Sequence, residues 1–129
     1  MAEPAQFVAI VDDEEPIRKA LKRLMRAANL EAEAFASGPA FLDSLATRRP
    51  DCLILDLHMP GMTGLSVLQR LQQSGAQVPT IVITAYDEPE TRTLCLAAGA
   101  AAYLRKPLDD RLLLDAVASV AKIRKNWTR

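Results

Sequence analysis

Short apolar runs alternate with longer amphipathic stretches along this chain, and that alternation restricts the fold more than any other feature. The runs fall at residues 7–11, 52–55 and 80–83, with weaker ones at 31–35 and 101–104. Brief runs rich in Val, Ile and Leu fit strands buried on both faces. Between them, Ile17, Leu21, Leu24, Met25 and Ala28 recur at helical spacing, and Leu113, Ala116, Val117, Val120 and Ala121 do so near the end of the chain. Phe41, Leu42 and Leu45 mark a second helix, Leu65, Leu68 and Leu71 a third, and residues 88–98 a fourth. Ser37 before Gly38 and Pro39 reads as a capped helix start. Gly99 stands where the fourth helix needs a left-handed terminal residue.

Five βα units follow, so the expected class is α/β: a five-stranded parallel sheet, doubly wound, with helices on both faces and right-handed crossovers. The common strand order for such a sheet is 2-1-3-4-5. It opens a crevice between strands one and three at their C-terminal ends.

A length of 129 residues implies one domain over 1–129, with its core at about 7–122 and no output domain. The composition, half hydrophobic and a quarter charged, is that of a globular chain rather than a disordered one. Sixteen basic side chains balance 16 acidic ones, so direct nucleic-acid binding, which needs a basic surplus, is not expected. Two Cys build neither a disulfide framework nor a four-ligand zinc site. Cys52, in the third strand, and Cys95, in the fourth helix, read as reduced core thiols suited to the cytosol. The first apolar run is short and follows an acidic start, unlike a signal peptide. The longest apolar stretch, residues 94–104, contains Gly99 and is far short of the roughly 20 residues that span a bilayer. A cytoplasmic protein with no membrane partner is expected. Near the end, Lys122, Arg124, Lys125 and Arg129 complement the C-terminus of the last helix. Trp127 is expected to be exposed or docked on a partner.

What stands at the strand ends decides the function. Strand one leads into Asp12-Asp13-Glu14 and strand three into Asp56-Leu57-His58-Met59-Pro60. In the 2-1-3-4-5 order these ends are neighbours, so Asp12, Asp13 and Asp56 converge. Two carboxylates about 4 Å apart repel by roughly 4 kcal/mol at an effective dielectric near 20. A divalent cation relieves this, and carboxylate, carbonyl and water ligands suit Mg²⁺. Strand four delivers the Thr84 hydroxyl to the same rim, and strand five the Lys106 ammonium. Each has a plainer reading alone: a helix cap for Asp12 and Asp13, a turn former for Asp56, a cap for Thr84, a solvated charge for Lys106. Together they supply three carboxylates, a hydroxyl and an ammonium to one crevice.

The motifs IVDDE, LDLHMPGMTG, VITA and AYLRKP, spread over residues 7–122, resemble those of the receiver domain of two-component response regulators. The motif style is nearest to receivers joined to helix-turn-helix transcriptional regulators. The resemblance implies a flavodoxin-like fold and a phosphorylation-dependent signalling switch. Asp56 would be the phosphoacceptor, and Asp13, Asp56 and the backbone carbonyl of His58 would ligate Mg²⁺, with Asp12 acting mainly through a bound water. Mn²⁺ or another divalent cation is an expected substitute. Thr84 and Lys106 would contact the phosphoryl oxygens, and the Lys106–Pro107 bond would be cis. Thr84 and Tyr103 would relay the change to a face made of the fourth helix, fifth strand and fifth helix. Leu96, Ala97, Ala98 and Ala100 make part of that region apolar enough for a homodimer or an output partner. The imidazole of His58, the sole His, reads as solvated, and the side chains of His58 and Tyr86 would tune hydrolysis of the acyl phosphate by lining the entrance.

No Gly-rich nucleotide motif is present, so the phosphoryl group would come from a sensor histidine kinase, a phosphotransfer protein or a small donor such as acetyl phosphate. Beyond Mg²⁺-dependent self-phosphorylation and autodephosphorylation, no enzyme activity is expected. Three alternatives are set against this. An aspartyl-phosphate phosphatase would usually carry a second Asp where His58 stands. A flavodoxin-like cofactor binder would want a phosphate loop in place of Asp12-Asp13-Glu14-Glu15. A receiver relic that only binds partners would lack Asp56 or Lys106.

Overall fold

The structure, a computed structural model, describes residues 6–121. The basic tail with Trp127 lies outside the described residues. Five strands alternate with five helices: β1 (Phe7–Val11), α1 (Glu15–Ala27), β2 (Glu31–Phe35), α2 (Gly38–Ser44), β3 (Cys52–Asp56), α3 (Gly64–Ser74), β4 (Thr80–Thr84), α4 (Pro89–Ala97), β5 (Ala102–Arg105) and α5 (Asp110–Ala121). All pairings are parallel and the order is β2-β1-β3-β4-β5.

The period-two geometry of strands sends alternate side chains to opposite faces. Ala9, Val11, Leu53, Leu55 and Val82 pack with Phe41 of α2, Val67 and Leu68 of α3 and Cys95 of α4. Val8, Ile10, Ile54, Ile81 and Ile83 pack with Leu21 and Met25 of α1 and Leu113 and Val117 of α5. β1, β3 and β4 are buried throughout, which is why they read as continuous apolar runs. β2 is an edge strand with Glu31 and Glu33 in solvent, which accounts for its weaker signal. Both cysteines are buried and unpaired, and burial pushes the Cys52 thiol up to about 12.

Helix ends follow the local chemistry. The Ser37 hydroxyl accepts from the Ala40 amide at 3.3 Å, and the Thr63 hydroxyl accepts from the Ser66 amide at 3.2 Å. Gly99 closes the turn after α4 at φ 106°, a conformation open to glycine at no steric cost.

Four elements differ in their bounds from those read in the sequence. β3 and β4 each run one residue further, through Asp56 and Thr84. The Leu57 amide still donates to the Ile83 carbonyl at 3.0 Å, and the Lys106 amide to the Thr84 carbonyl at 2.7 Å. β5 begins at Ala102 rather than at residue 101 and ends on Arg105, while α4 is shorter than 88–98 at both ends. These ladder bonds carry polar side chains, so hydropathy alone does not register them. In consequence Asp56 and Thr84 are rigid strand positions, not loop residues.

Candidate functional site

The C-terminal ends of β1, β3, β4 and β5 gather the polar side chains expected there. Asp12, the residue after β1, is fully buried, and Asp56, the last of β3, is 3% exposed. One carboxylate oxygen from each of Asp12, Asp13 and Asp56 lies within 4.8 Å of the others. Lys106 reaches this cluster from the end of β5, with Nζ 3.1 Å from Asp12 Oδ2 and 3.3 Å from Asp56 Oδ1.

Asp12 is held from three sides. Its Oδ1 accepts from the Glu14 amide at 2.9 Å, its Oδ2 from Lys106, and its backbone carbonyl from Arg18 Nη1 of α1 at 2.8 Å. The Arg18 contact was not visible in the sequence, where Arg18 is one of several cations on one helix. Asp13 is exposed and faces solvent at the rim.

Charge crowding sets the protonation chemistry. Burial, reinforced by the neighbouring Asp12 charge and opposed by Lys106, pushes the Asp56 carboxyl up to about 6. Burial alone would lower the Lys106 ammonium. The hydrogen bond to Asp12 and the charges of Asp12 and Asp56 outweigh it and hold Lys106 above its ordinary value. One ammonium thus pairs with two of the three clustered carboxylates. An all-oxygen donor set with surplus negative charge fits a hard divalent cation of the Mg²⁺ type.

Thr84 is fully buried, but its hydroxyl is engaged within its own loop. It donates to the Tyr86 carbonyl at 3.0 Å and accepts from the Tyr86 amide at 3.0 Å. Tyr86 is 64% exposed, and His58, also exposed, meets it edge-on with ring centroids 5.1 Å apart. The two rings meet although they come from different loops, each two residues after Asp56 or Thr84. Tyr103 is half-buried and its hydroxyl lies inside. The Lys106–Pro107 bond is cis.

Gly64, the first residue of α3, has a role the sequence did not reveal. A Cβ there would sit 2.5 Å from the Asp56 carbonyl oxygen and 2.8 Å from Leu57 Cα. Only hydrogen fits, so α3 packs directly on the backbone that carries Asp56. Its motif LDLHMPGMTG contained the signal, but not its spatial reason.

The family model of the response regulator receiver domain matches residues 8–118. The chain belongs to this family. A crystal structure of a response regulator receiver protein from Burkholderia phymatum superposes with a TM-score of 0.83 and 44% identity, covering 94% of this chain and 98% of that one. The DNA-binding transcriptional regulator NtrC of Klebsiella pneumoniae is 40% identical over 100 residues, 78% of this chain and 21% of NtrC. The response regulator protein TodT of Pseudomonas putida is 33% identical over 123 residues, 95% of this chain and 54% of TodT. The chain therefore spans between about a fifth and about half of the length of these curated relatives. As a receiver domain it is a phosphorylation-dependent signalling switch rather than an enzyme of the ordinary kind, in a family that works with histidine kinases or phosphotransfer proteins. Among the described residues, no helix is long and apolar enough to cross a membrane.

Proposed function

We propose that the chain is a single receiver unit with its core at about residues 7–122 and that Asp56 is its phosphoacceptor. The observation that carries this reading is the position of Asp56 as a nearly buried strand-end carboxylate, within reach of Lys106 and clustered with Asp12 and Asp13. Asp12, Asp13, Asp56 and the His58 carbonyl would hold Mg²⁺, or Mn²⁺ in its place. When bound, the ion supplies charge neutralisation and polarises the phosphoryl oxygens.

The reaction is a displacement at phosphorus. A carboxylate oxygen of Asp56 forms the new P–O bond while the P–N bond of a phosphohistidine, or the P–O bond of acetyl phosphate, breaks. Such transfer depends mainly on positioning and charge stabilisation. Lys106 positions a phosphoryl oxygen and Asp12 keeps Lys106 in place. The three carboxylates are near balance with a divalent cation and one ammonium, so an anionic donor meets no large repulsion. Phosphorylation cancels the Asp56 charge and adds roughly two negative charges. That surplus draws the Thr84 hydroxyl away from Tyr86, and Tyr103 answers the movement.

Attack of water on phosphorus then breaks the bond to Asp56 and releases phosphate. His58 and Tyr86, packed edge to face, control the water's approach. The exposed Leu94, Leu96 and Leu112 of α4 and α5 support a second copy or an output partner on the α4–β5–α5 face. The buried, unpaired thiols Cys52 and Cys95 support a cytoplasmic location.

Intact-mass measurement after incubation with acetyl phosphate and Mg²⁺ tests the reading. One phosphoryl adduct on the natural chain, absent from Asp56→Asn and absent in EDTA, is expected. An unchanged adduct on Asp56→Asn would overturn it.

A further inference from the structure

The Tyr103 hydroxyl is buried and makes no hydrogen bond among the described residues. The Glu88 backbone and the Thr84 hydroxyl are close enough to act on its ionisation, but the Thr84 hydrogen is donated to the Tyr86 carbonyl. A buried hydroxyl without a partner is unfavourable, and water outside would satisfy it fully. The inward position of Tyr103 therefore needs a counterweight.

Two contacts supply it. The ring packs against the core that contains Val82 and Cys95. The Arg92 guanidinium of α4 lies over the ring with its carbon 5.7 Å from the centroid, within cation–π range. Arg92 is exposed and forms no ion pair among the described residues, so its cation is free to act on the ring.

We propose that Arg92 is a positioning residue for the switch: it holds the Tyr103 ring inward before phosphorylation, so the resting protein already populates part of the switched arrangement. This deepens the reading of Thr84 and Tyr103 as the relay and rests on it. A ligand shifts a two-state equilibrium only from where it starts. With Arg92 in place, the phosphoryl group has less of the Tyr103 population left to move. A cation over a solvent-facing ring shifts such an equilibrium about two- to five-fold.

The chain has two tyrosines, Tyr86 and Tyr103, so 3-fluorotyrosine labelling of the full chain gives two ¹⁹F signals, assigned with Tyr86→Phe. In Arg92→Gln the Tyr103 signal should move toward the solvent-exposed position, with a larger H₂O/D₂O shift and a two- to five-fold larger outward population. Arg92→Lys, which keeps a cation, should recover part of the difference. Beryllium fluoride with Mg²⁺, a phosphoryl mimic, should bring the natural chain and Arg92→Gln to a common Tyr103 signal. A Tyr103 signal in Arg92→Gln identical to that of the natural chain would overturn the proposal, as would Arg92→Lys behaving like Arg92→Gln. If beryllium fluoride moves the Tyr103 signal by the same amount in both chains from the same starting point, Arg92 loses its role and the relay stands. If the mimic moves neither tyrosine, the relay itself fails, while the spectra without it still report on Arg92.

Discussion

Lys106 Nζ stands 3.3 Å from Asp56 Oδ1, from a strand on the far side of β4. The contact joins the candidate nucleophile to the one cation among the described residues that ion-pairs with the acidic cluster. Lys106→Met should still fold, because the apolar stem is kept, but it leaves Asp12 and Asp56 without that charge. A hydrogen bond to a charged group contributes about 1.5–3 kcal/mol. Phosphorylation by acetyl phosphate should therefore slow by about ten- to a hundred-fold, followed by intact mass against time. A rate equal to that of the natural chain would remove Lys106 from the reaction.

Asp56 makes stability depend on pH in an unusual direction. Its carboxyl titrates at about 6 in the folded chain against an ordinary 3.8. The folded state then binds more protons at Asp56 than the unfolded state between these values, so the contribution of Asp56 to stability is greatest at low pH and is lost as pH rises toward and through about 6. The difference corresponds to about 3 kcal/mol at pH 7. Asp56→Asn should be more stable than the natural chain by up to that amount at pH 7 in EDTA, with the gap closing toward pH 4. Mg²⁺ should stabilise the natural chain and do less for the variant. Urea unfolding of both chains at pH 4, 5 and 7 measures the gap, and a gap independent of pH would contradict the electrostatic account.

The strand-and-helix alternation, the sheet order and the convergence of Asp12, Asp13, Asp56 and Lys106 were all legible in the sequence, because burial on both faces leaves a continuous apolar signature. Strand ends were not. Asp56 and Thr84 belong to the ladder through backbone bonds, at Leu57 and Lys106, that leave no trace in hydropathy. Arg18, Gly64 and Arg92 were invisible for a related reason. Their roles depend on which backbone or ring lies opposite, and that depends on how α1, α3 and α4 pack on the sheet. Tyr103 was read as a switch position, but the Arg92 guanidinium over its ring, a contact between a helix and a strand, was not foreseen.

Gly64 should resist substitution. In Gly64→Ala the new methyl meets backbone at 2.5 and 2.8 Å, and neither atom is at the end of a flexible side chain. α3 or the end of β3 has to shift, at a cost of about 1–3 kcal/mol, and Asp56 moves with it. Thermal unfolding should fall, and acetyl phosphate labelling should slow as well. Gly99→Ala is the control. Its φ of 106° is strained for Ala, yet no atom lies within 4 Å, so it should lose about 1 kcal/mol of stability and keep its labelling rate.

Thr84→Ala separates chemistry from relay. The Thr84 hydroxyl makes two 3.0 Å bonds to Tyr86 and none to Asp56, so its removal leaves the nucleophile, Lys106 and the acidic cluster intact. Acyl phosphate formation should continue within a few-fold of the natural rate. What should weaken is the response of Tyr86 and Tyr103, because the hydroxyl that exchanges one partner for another is gone. One charge-assisted hydrogen bond gives about 1.5–3 kcal/mol, while a change from 1:99 to 99:1 needs about 5.5. Lys106 must therefore carry part of the shift, and Thr84→Ala should weaken the response by about ten-fold rather than abolish it. Thr84→Ser, which keeps the hydroxyl, should respond like the natural chain. The ¹⁹F signals of the two tyrosines with and without beryllium fluoride report the result. A full response in Thr84→Ala would place the relay elsewhere, in Lys106 and the loop after β5.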